Sequence, residues 1–293
     1  MKKIILVHGI NNQHKSSEQI KWEWLGALST VLSAQQENAI RNLDVVAPYY
    51  GDILYDYTEG READLVNRPV AQSIGNVPDE ETEFYNEFLA DVAQAFDIGD
   101  EDIAVEMGHQ DAAVKQGFFH DRKFIAIVQL LEKISPWQGK HVMRVLSQAY
   151  TYINDEDAAA AVDAVVQPEL EGEPSLILAH SLGTIVTYKI LRDLIRDKKH
   201  KFLTLGSPLG IKAVRNGIGP KFSLPTKSVS DWSNGLDKDD FVSFKRKLKN
   251  AGYEGDIREY NDINNGGDDP HSIQKYLTDH WVRRTILDYI GVP

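Results

Sequence analysis

Cysteine is absent from the 293 residues. Disulfide staples, thiolate catalysis and cysteine-based zinc sites are therefore excluded, and a reducing compartment suits the composition. Long apolar runs are absent as well. No stretch approaches the roughly 18 uninterrupted apolar residues of a membrane helix. The opening "MKKIILVHGINNQ" sets lysines before an apolar run, but the run stops at Val7. That is shorter than the about 7–15 residues of a signal-peptide core, so a cytoplasmic location is expected. Positive charge is in deficit. The formal net charge is −12, which repels a phosphate backbone, and no nucleic-acid partner is expected. Two basic runs, "RDKKHK" (196–201) and "KRKLK" (245–249), read as a solvated helix end and face, with transient membrane-surface contact as the alternative. The nine histidines include no His-Glu-x-x-His pair, and no phosphate-binding glycine loop with Lys-Ser/Thr is present. Neither a cofactor nor a metal is expected.

What is present is globular: 42% hydrophobic and 26% charged residues, with no internal repeat. "KKIILV" (2–7) and "SLILAH" (175–180) are short, nearly continuous apolar runs, the pattern of strands buried on both faces. "LDVVAPYY" (43–50), "KFLTLGSP" (201–208), "TKSVSDWSN" (226–234) and "DIREYND" (256–262) read as further strands, the last an edge strand by its alternation. Helical patterns occupy 16–34, 81–96, 118–134, 139–153, 156–170, 182–196 and 272–290. Ser16 and Gln19 suit a capping box for the first of these. Residues 51–82 are polar and punctuated by Gly and Pro, and read as loop. Strands alternating with helices argue for an α/β fold with a mostly parallel sheet of about six strands. Residues 1–50 and 151–293 would form its core, and 51–150 a mostly helical insertion capping one end.

One serine stands where a buried strand must turn into a helix. Residues 179–183 read Ala-His-Ser-Leu-Gly. Small residues on either side of Ser181 allow helix and strand to pass closely, and such a turn lifts the hydroxyl clear of the sheet. It also sets the N–H groups and positive dipole end of the new helix beneath a developing oxyanion. A control sits in the same chain: Ala71-Gln72-Ser73-Ile74-Gly75 fits the same pattern, but Pro69 spoils the strand before it and no helix follows at once. Ser73 therefore reads as a loop residue. The His8-Gly9-Ile10 loop after the first strand is the natural source of an oxyanion-binding N–H. Ile10 is the first choice, Asn11 the alternative, and Leu182 supplies the second N–H. Gly9 lets the backbone bend close, and His8 reads as packing behind the loop.

These features together, with "LTLGSPLG" (203–210), resemble the α/β-hydrolase superfamily, in particular its lipase- and esterase-like members and the branch similar to GPI-inositol deacylases. The resemblance covers residues 1–50 and 137–293. The chain opens on the strand before the oxyanion loop, so it implies a trimmed sheet. It also implies a triad in the order nucleophile, acid, base. Trp232 and Asn234 match the family's strand end, and Asp240-Phe241-Val242 its acid turn, with Phe where proline is common. Asp240 is the implied acid, and Asp237 and Asp239 are rivals at neighbouring registers. His271, in "INNGGDDPHS" before the final helix, is the implied base. His280 is its rival, and the His180 side chain should point away from the Ser181 hydroxyl.

The function expected is cleavage of a carboxylic ester, of a small molecule or a lipid-like one, by a serine hydrolase. Acyl transfer through the same triad, or a binding protein that kept the fold and lost the chemistry, are the alternatives. Phe84, Phe88, Phe118, Phe119, Phe124, Ile125 and Ile127 of the insertion could line an acyl pocket or serve only its own core.

Overall fold

The computed structural model describes residues 2–58, 79–109, 119–134, 136–243, 246–267 and 269–293. The chain runs β1 (Lys3–Val7), α1 (Ser17–Ser29), α2 (Ala34–Arg41), β2 (Asp44–Val46) and a helical stretch α3 (51–58). Next come the helices α4 (Asp79–Ala95), α5 (Asp100–His109), α6 (Phe119–Ile134) and α7 (Pro136–Asn154). Then follow α8 (Glu156–Glu171), β3 (Ser175–His180), α9 (Leu182–Asp193), β4 (His200–Leu205) and α10 (Lys212–Ile218). The chain closes with β5 (Val229–Asp237), β6 (Ile257–Ile263), α11 (Ile273–Thr278) and α12 (His280–Ile290).

The six strands form one sheet in the order β2-β1-β3-β4-β5-β6, every pair parallel. This is the α/β class that the alternating pattern implies. β3 is buried at all six positions, which explains its unbroken apolar run. Helices cover both faces. One apolar cluster joins Ile5, Val7, Ile177 and Ala179 of the sheet to Phe88, Val92, Leu131 and Leu146 of the insertion and to α9. The other joins Ile4, Leu6, Leu176 and Leu203 to Ile20, Trp24 and Leu28 of α1 and to α11 and α12. The core of the insertion is thus continuous with that of the sheet. An ion pair reinforces the join, with Arg246 Nη1 3.3 Å from Asp91 Oδ1, while Asp91 Oδ2 accepts the Lys212 N–H at 2.6 Å.

Several boundaries differ from the sequence pattern. The strand expected over 43–50 pairs only at Asp44–Val46. Pro48 has no N–H to give a ladder, and β2 is a sheet edge. The expected loop over 51–82 is helical at 51–58 and again from Asp79, with Leu54 and Thr58 buried one turn apart. The rest of that stretch, Ser73 included, lies outside the described residues. α2, α5 and α10 were not expected. α2 carries the full reciprocal box at Ser33 and Gln36, whereas Ser16 accepts the Gln19 N–H at 3.2 Å in its own cap. The helix expected over 272–290 breaks at Asp279, whose side chain accepts the N–H groups of Trp281 and Val282 and starts α12.

β1 and β3 are neighbours, yet the chain leaves β1 towards β2 on one side and β3 towards β4 on the other. This is the switch point at which a parallel sheet opens a crevice beyond its carboxyl ends. There α9 starts so close to β1 that a Cβ on Gly183 would lie against the Val7 carbonyl oxygen and 2.5 Å from that of His8. Gly183→Ala should therefore lower stability by about 1–3 kcal/mol, the range for forced overpacking, as read by urea unfolding.

Candidate active site

The segments that follow the strands all leave from the carboxyl edge of the sheet, because all six strands run the same way. The loop after β3 is a single residue. Ser181 has φ 55° and ψ −131°, a left-handed backbone that a non-glycine residue adopts only when its surroundings force it. Its N–H is fixed by the Leu205 carbonyl at 3.1 Å, and its carbonyl accepts the Thr184 N–H at 2.9 Å. Thr184 Oγ1 also donates to that carbonyl at 2.7 Å and lies 2.8 Å from Ser207 Oγ. Ala179, behind the turn, is fully buried. Ser181 Oγ is itself buried and has no hydrogen-bond partner among the described residues.

The loop after β1 presses against this turn, and a Cβ on Gly9 would stand 2.6 Å from Ser181 Cβ. His8 lies behind it, as the sequence implies. Its ring stacks on Tyr50 at 4.1 Å between centroids, Nδ1 donates to the Gly9 carbonyl at 2.8 Å, and Nε2 accepts the Tyr50 N–H at 3.3 Å. Burial pushes its pKa down to about 4, so the ring is neutral at physiological pH. Ile10 and Asn11 follow into the cavity beside Ser181, with Asn11 at φ 59°. Leu182 opens α9, where no preceding carbonyl can take its N–H.

Among the three rival carboxylates, Asp240 meets His271. His271 Nδ1 lies 2.9 Å from both Asp240 oxygens, and both residues are buried. Asp240 also accepts the Val242 N–H at 2.8 Å and the Tyr276 hydroxyl at 2.6 Å. Asp237 is buried too, but it serves the backbone, accepting the N–H groups of Asp239 and Asn265. Asp239 is exposed. Trp232 and Asn234 of β5 both bond Thr204 Oγ1, at 3.0 and 2.7 Å, which ties β5 to β4 just before the acid turn. Gly206, at φ 55°, leaves room for the pair, since a Cβ there would lie 2.7 Å from Asp240 Oδ2 and 3.0 Å from His271 Cε1.

Two contacts that sequence reasoning missed hold this pair in place. Tyr276 Oη, besides donating to Asp240, accepts the Asp237 N–H at 3.0 Å, so one hydroxyl spans the acid turn from α11. Its sequence signal was slight: a tyrosine one turn into the helix that follows the histidine. His180, expected to point away from the Ser181 hydroxyl, lines the same cavity as Ser181 and supports His271. Its Nε2 donates to the His271 carbonyl at 2.8 Å, and the two rings lie 4.5 Å apart. His280 begins α12 and takes no part in this cluster. Among the described residues, no three His, Asp or Glu side chains converge as a metal site requires.

Burial raises Asp240 to about 6, against the pull of the Tyr276 and Val242 hydrogen bonds, and lowers His271 to about 3. Above about pH 6 the pair is therefore a carboxylate facing a neutral imidazole, with the Nδ1 proton between them. Ser181 and His271 line one cavity of about 230 Å³, together with Ile10, Asn11, Trp24 and Asp269. A base with its tautomer fixed by a buried acid, beside a strained serine, can accept a hydroxyl proton and return it.

Removing the Tyr276 hydroxyl takes a donor from the charged form of Asp240. Tyr276→Phe should raise the first protonation step of the pair by about 1 pH unit, followed through the His271 ring signals by NMR. Comparison of the chain with protein-family models, curated proteins and solved structures finds no match.

Proposed function

We propose that the protein is a serine hydrolase that cleaves carboxylic esters through an acyl-enzyme on Ser181. The observation that carries this reading is the buried His271–Asp240 pair, whose histidine lines one cavity with a serine held in a left-handed strand-to-helix turn. The resemblance of these same residues to the α/β-hydrolase pattern supports it.

In this reaction His271 Nε2 takes the Ser181 hydroxyl proton as Oγ attacks the ester carbonyl. The N–H groups of Ile10 and Leu182 bind the oxyanion that forms, each contributing about 3–4 kcal/mol to the transition state. His271 then protonates the departing alkoxide, and water attacks the acyl-enzyme by the same steps in reverse. Asp240 keeps the Nδ1 proton in place and stabilises the imidazolium. The Ser181 hydroxyl has no hydrogen-bond partner among the described residues. Such contacts commonly close only when substrate is present.

A fluorophosphonate probe should label Ser181 in the native protein and leave Ser181→Ala unlabelled, and kcat on p-nitrophenyl esters should fall at least ~10⁴-fold in that variant. A native protein that takes no label overturns the reading. The value of kcat/KM should rise about tenfold per pH unit up to about pH 6 and then level, because Asp240 must be ionised for His271 to act as base. Asp240→Asn should lower kcat by several orders of magnitude with the fold intact by circular dichroism.

A further inference from the structure

Asn12 lines the cavity beside Ser181, yet its side chain is spent on the loop after β1 itself. Nδ2 donates to the Gly9 carbonyl at 3.1 Å and to the Ile10 carbonyl at 3.0 Å, which uses both amide hydrogens on two successive peptide groups. The Gly9 carbonyl also accepts from His8 Nδ1 at 2.8 Å. Asn12 is anchored in turn through its backbone. Its carbonyl accepts the Tyr49 hydroxyl at 2.9 Å, and Tyr49 Oη accepts the Lys15 N–H at 3.1 Å. Asn11, between Ile10 and Asn12, is held from the insertion by Arg144, whose Nη1 lies 3.2 Å from Asn11 Oδ1.

These bonds decide which way the neighbouring N–H groups point. No peptide bond among the described residues is cis, and in a trans peptide the C=O and N–H point in opposite directions. His8 is fully buried behind the loop, against Tyr50. A Gly9 carbonyl drawn towards His8 therefore turns the N–H of the same peptide, that of Ile10, to the other side, where Ile10 and Ser181 line one cavity. Among the described residues no hydrogen bond occupies that N–H. Rotation of this one peptide would put a carbonyl oxygen in place of the N–H and repel a developing oxyanion. Glycine at position 9 offers little steric resistance to such a rotation, so the hydrogen bonds must supply it.

We propose that Asn12 is a positioning residue for the reaction: its side-chain amide locks the Gly9–Ile10 peptide with the Ile10 N–H facing the oxyanion. The inference rests on the hydrolase reading and adds to it a residue that acts through the loop rather than on the substrate.

The test compares the native protein with Asn12→Ala and with Asn12→Asp, which keeps the shape of the side chain and loses its donors. Two things are read: the rate constant for fluorophosphonate labelling of Ser181, and kcat and KM on p-nitrophenyl acetate, with kcat taken per labelled site. Neither depends on the fraction of protein that is folded. Phosphonylation also builds negative charge on an oxygen beside the serine, so it draws on the same N–H. Both variants should lose about 10- to 100-fold in labelling rate and in kcat, with KM within about threefold of native. That is part of the about 10²–10³-fold that follows removal of a whole oxyanion donor. In Asn12→Ala the pH at which labelling falls to half should stay that of the native protein, because Asp240 and His271 are untouched. A labelling rate within about threefold of native in either variant overturns the proposal and leaves the hydrolase reading standing. So does a loss that appears in KM alone, or a shifted pH midpoint in Asn12→Ala, which marks a general disturbance of the site. A native protein that takes no label removes the hydrolase reading and this inference with it.

Discussion

At the start of α9 the backbone of one helix touches the backbone of one strand, and the site is organised around that contact. Gly183 sits against the carbonyl oxygens of Val7 and His8, and Gly9 sits against Ser181. No side chain fits at either point. The contact brings the loop after β1 and the N-terminus of α9 together at Ser181. It also holds Ser181 at a φ of 55°, which costs on the order of 1–3 kcal/mol and persists because strand, helix and the Leu205 carbonyl all fix its neighbours. A looser junction would relax the turn and lower the serine into the sheet.

The second demand on the fold is a buried charge. Taking Asp240 out of water disfavours its ionised form, and the protein answers with donors from three directions: the Val242 N–H within its own turn, Tyr276 from α11 and His271 from the loop after β6. His180 grips the same loop from β3 through the His271 carbonyl. The residue before the serine and the residue that would accept the serine's proton are thereby joined. His271 is positioned by the strand that carries Ser181.

Much of this was legible in the chain. The unbroken apolar runs of β1 and β3 marked buried parallel strands, because burial on both faces removes the usual alternation. Ser181 and the His8-Gly9-Ile10 loop stood at strand ends with distinctive small residues around them, and His271 in the Gly-rich loop after the last strand. Which aspartate faces His271 was harder to read, since Asp237, Asp239 and Asp240 crowd one turn and differ only in which way each side chain leaves the backbone. The roles of Tyr276 and His180 were not legible. Their contacts link residues 36 and 91 positions apart in the chain, and no local pattern encodes them. The helical stretch at 51–58, α5 and α10 are short segments whose helicity depends on a buried face supplied by the rest of the molecule.

The sequence by itself determined the α/β class, the strands at the heart of the sheet and the turn at Ser181, because these follow from hydrophobic period and from where only small residues fit. Tertiary structure alone decided which aspartate faces His271, what props that pair, and that the cavity beside the serine is lined with polar groups while the insertion's aromatics Phe84 and Phe88 are spent on packing. The physical reason is range. Period and sterics act between neighbours in the chain, whereas pairing, desolvation and cavity shape arise between segments that meet only when the sheet has assembled.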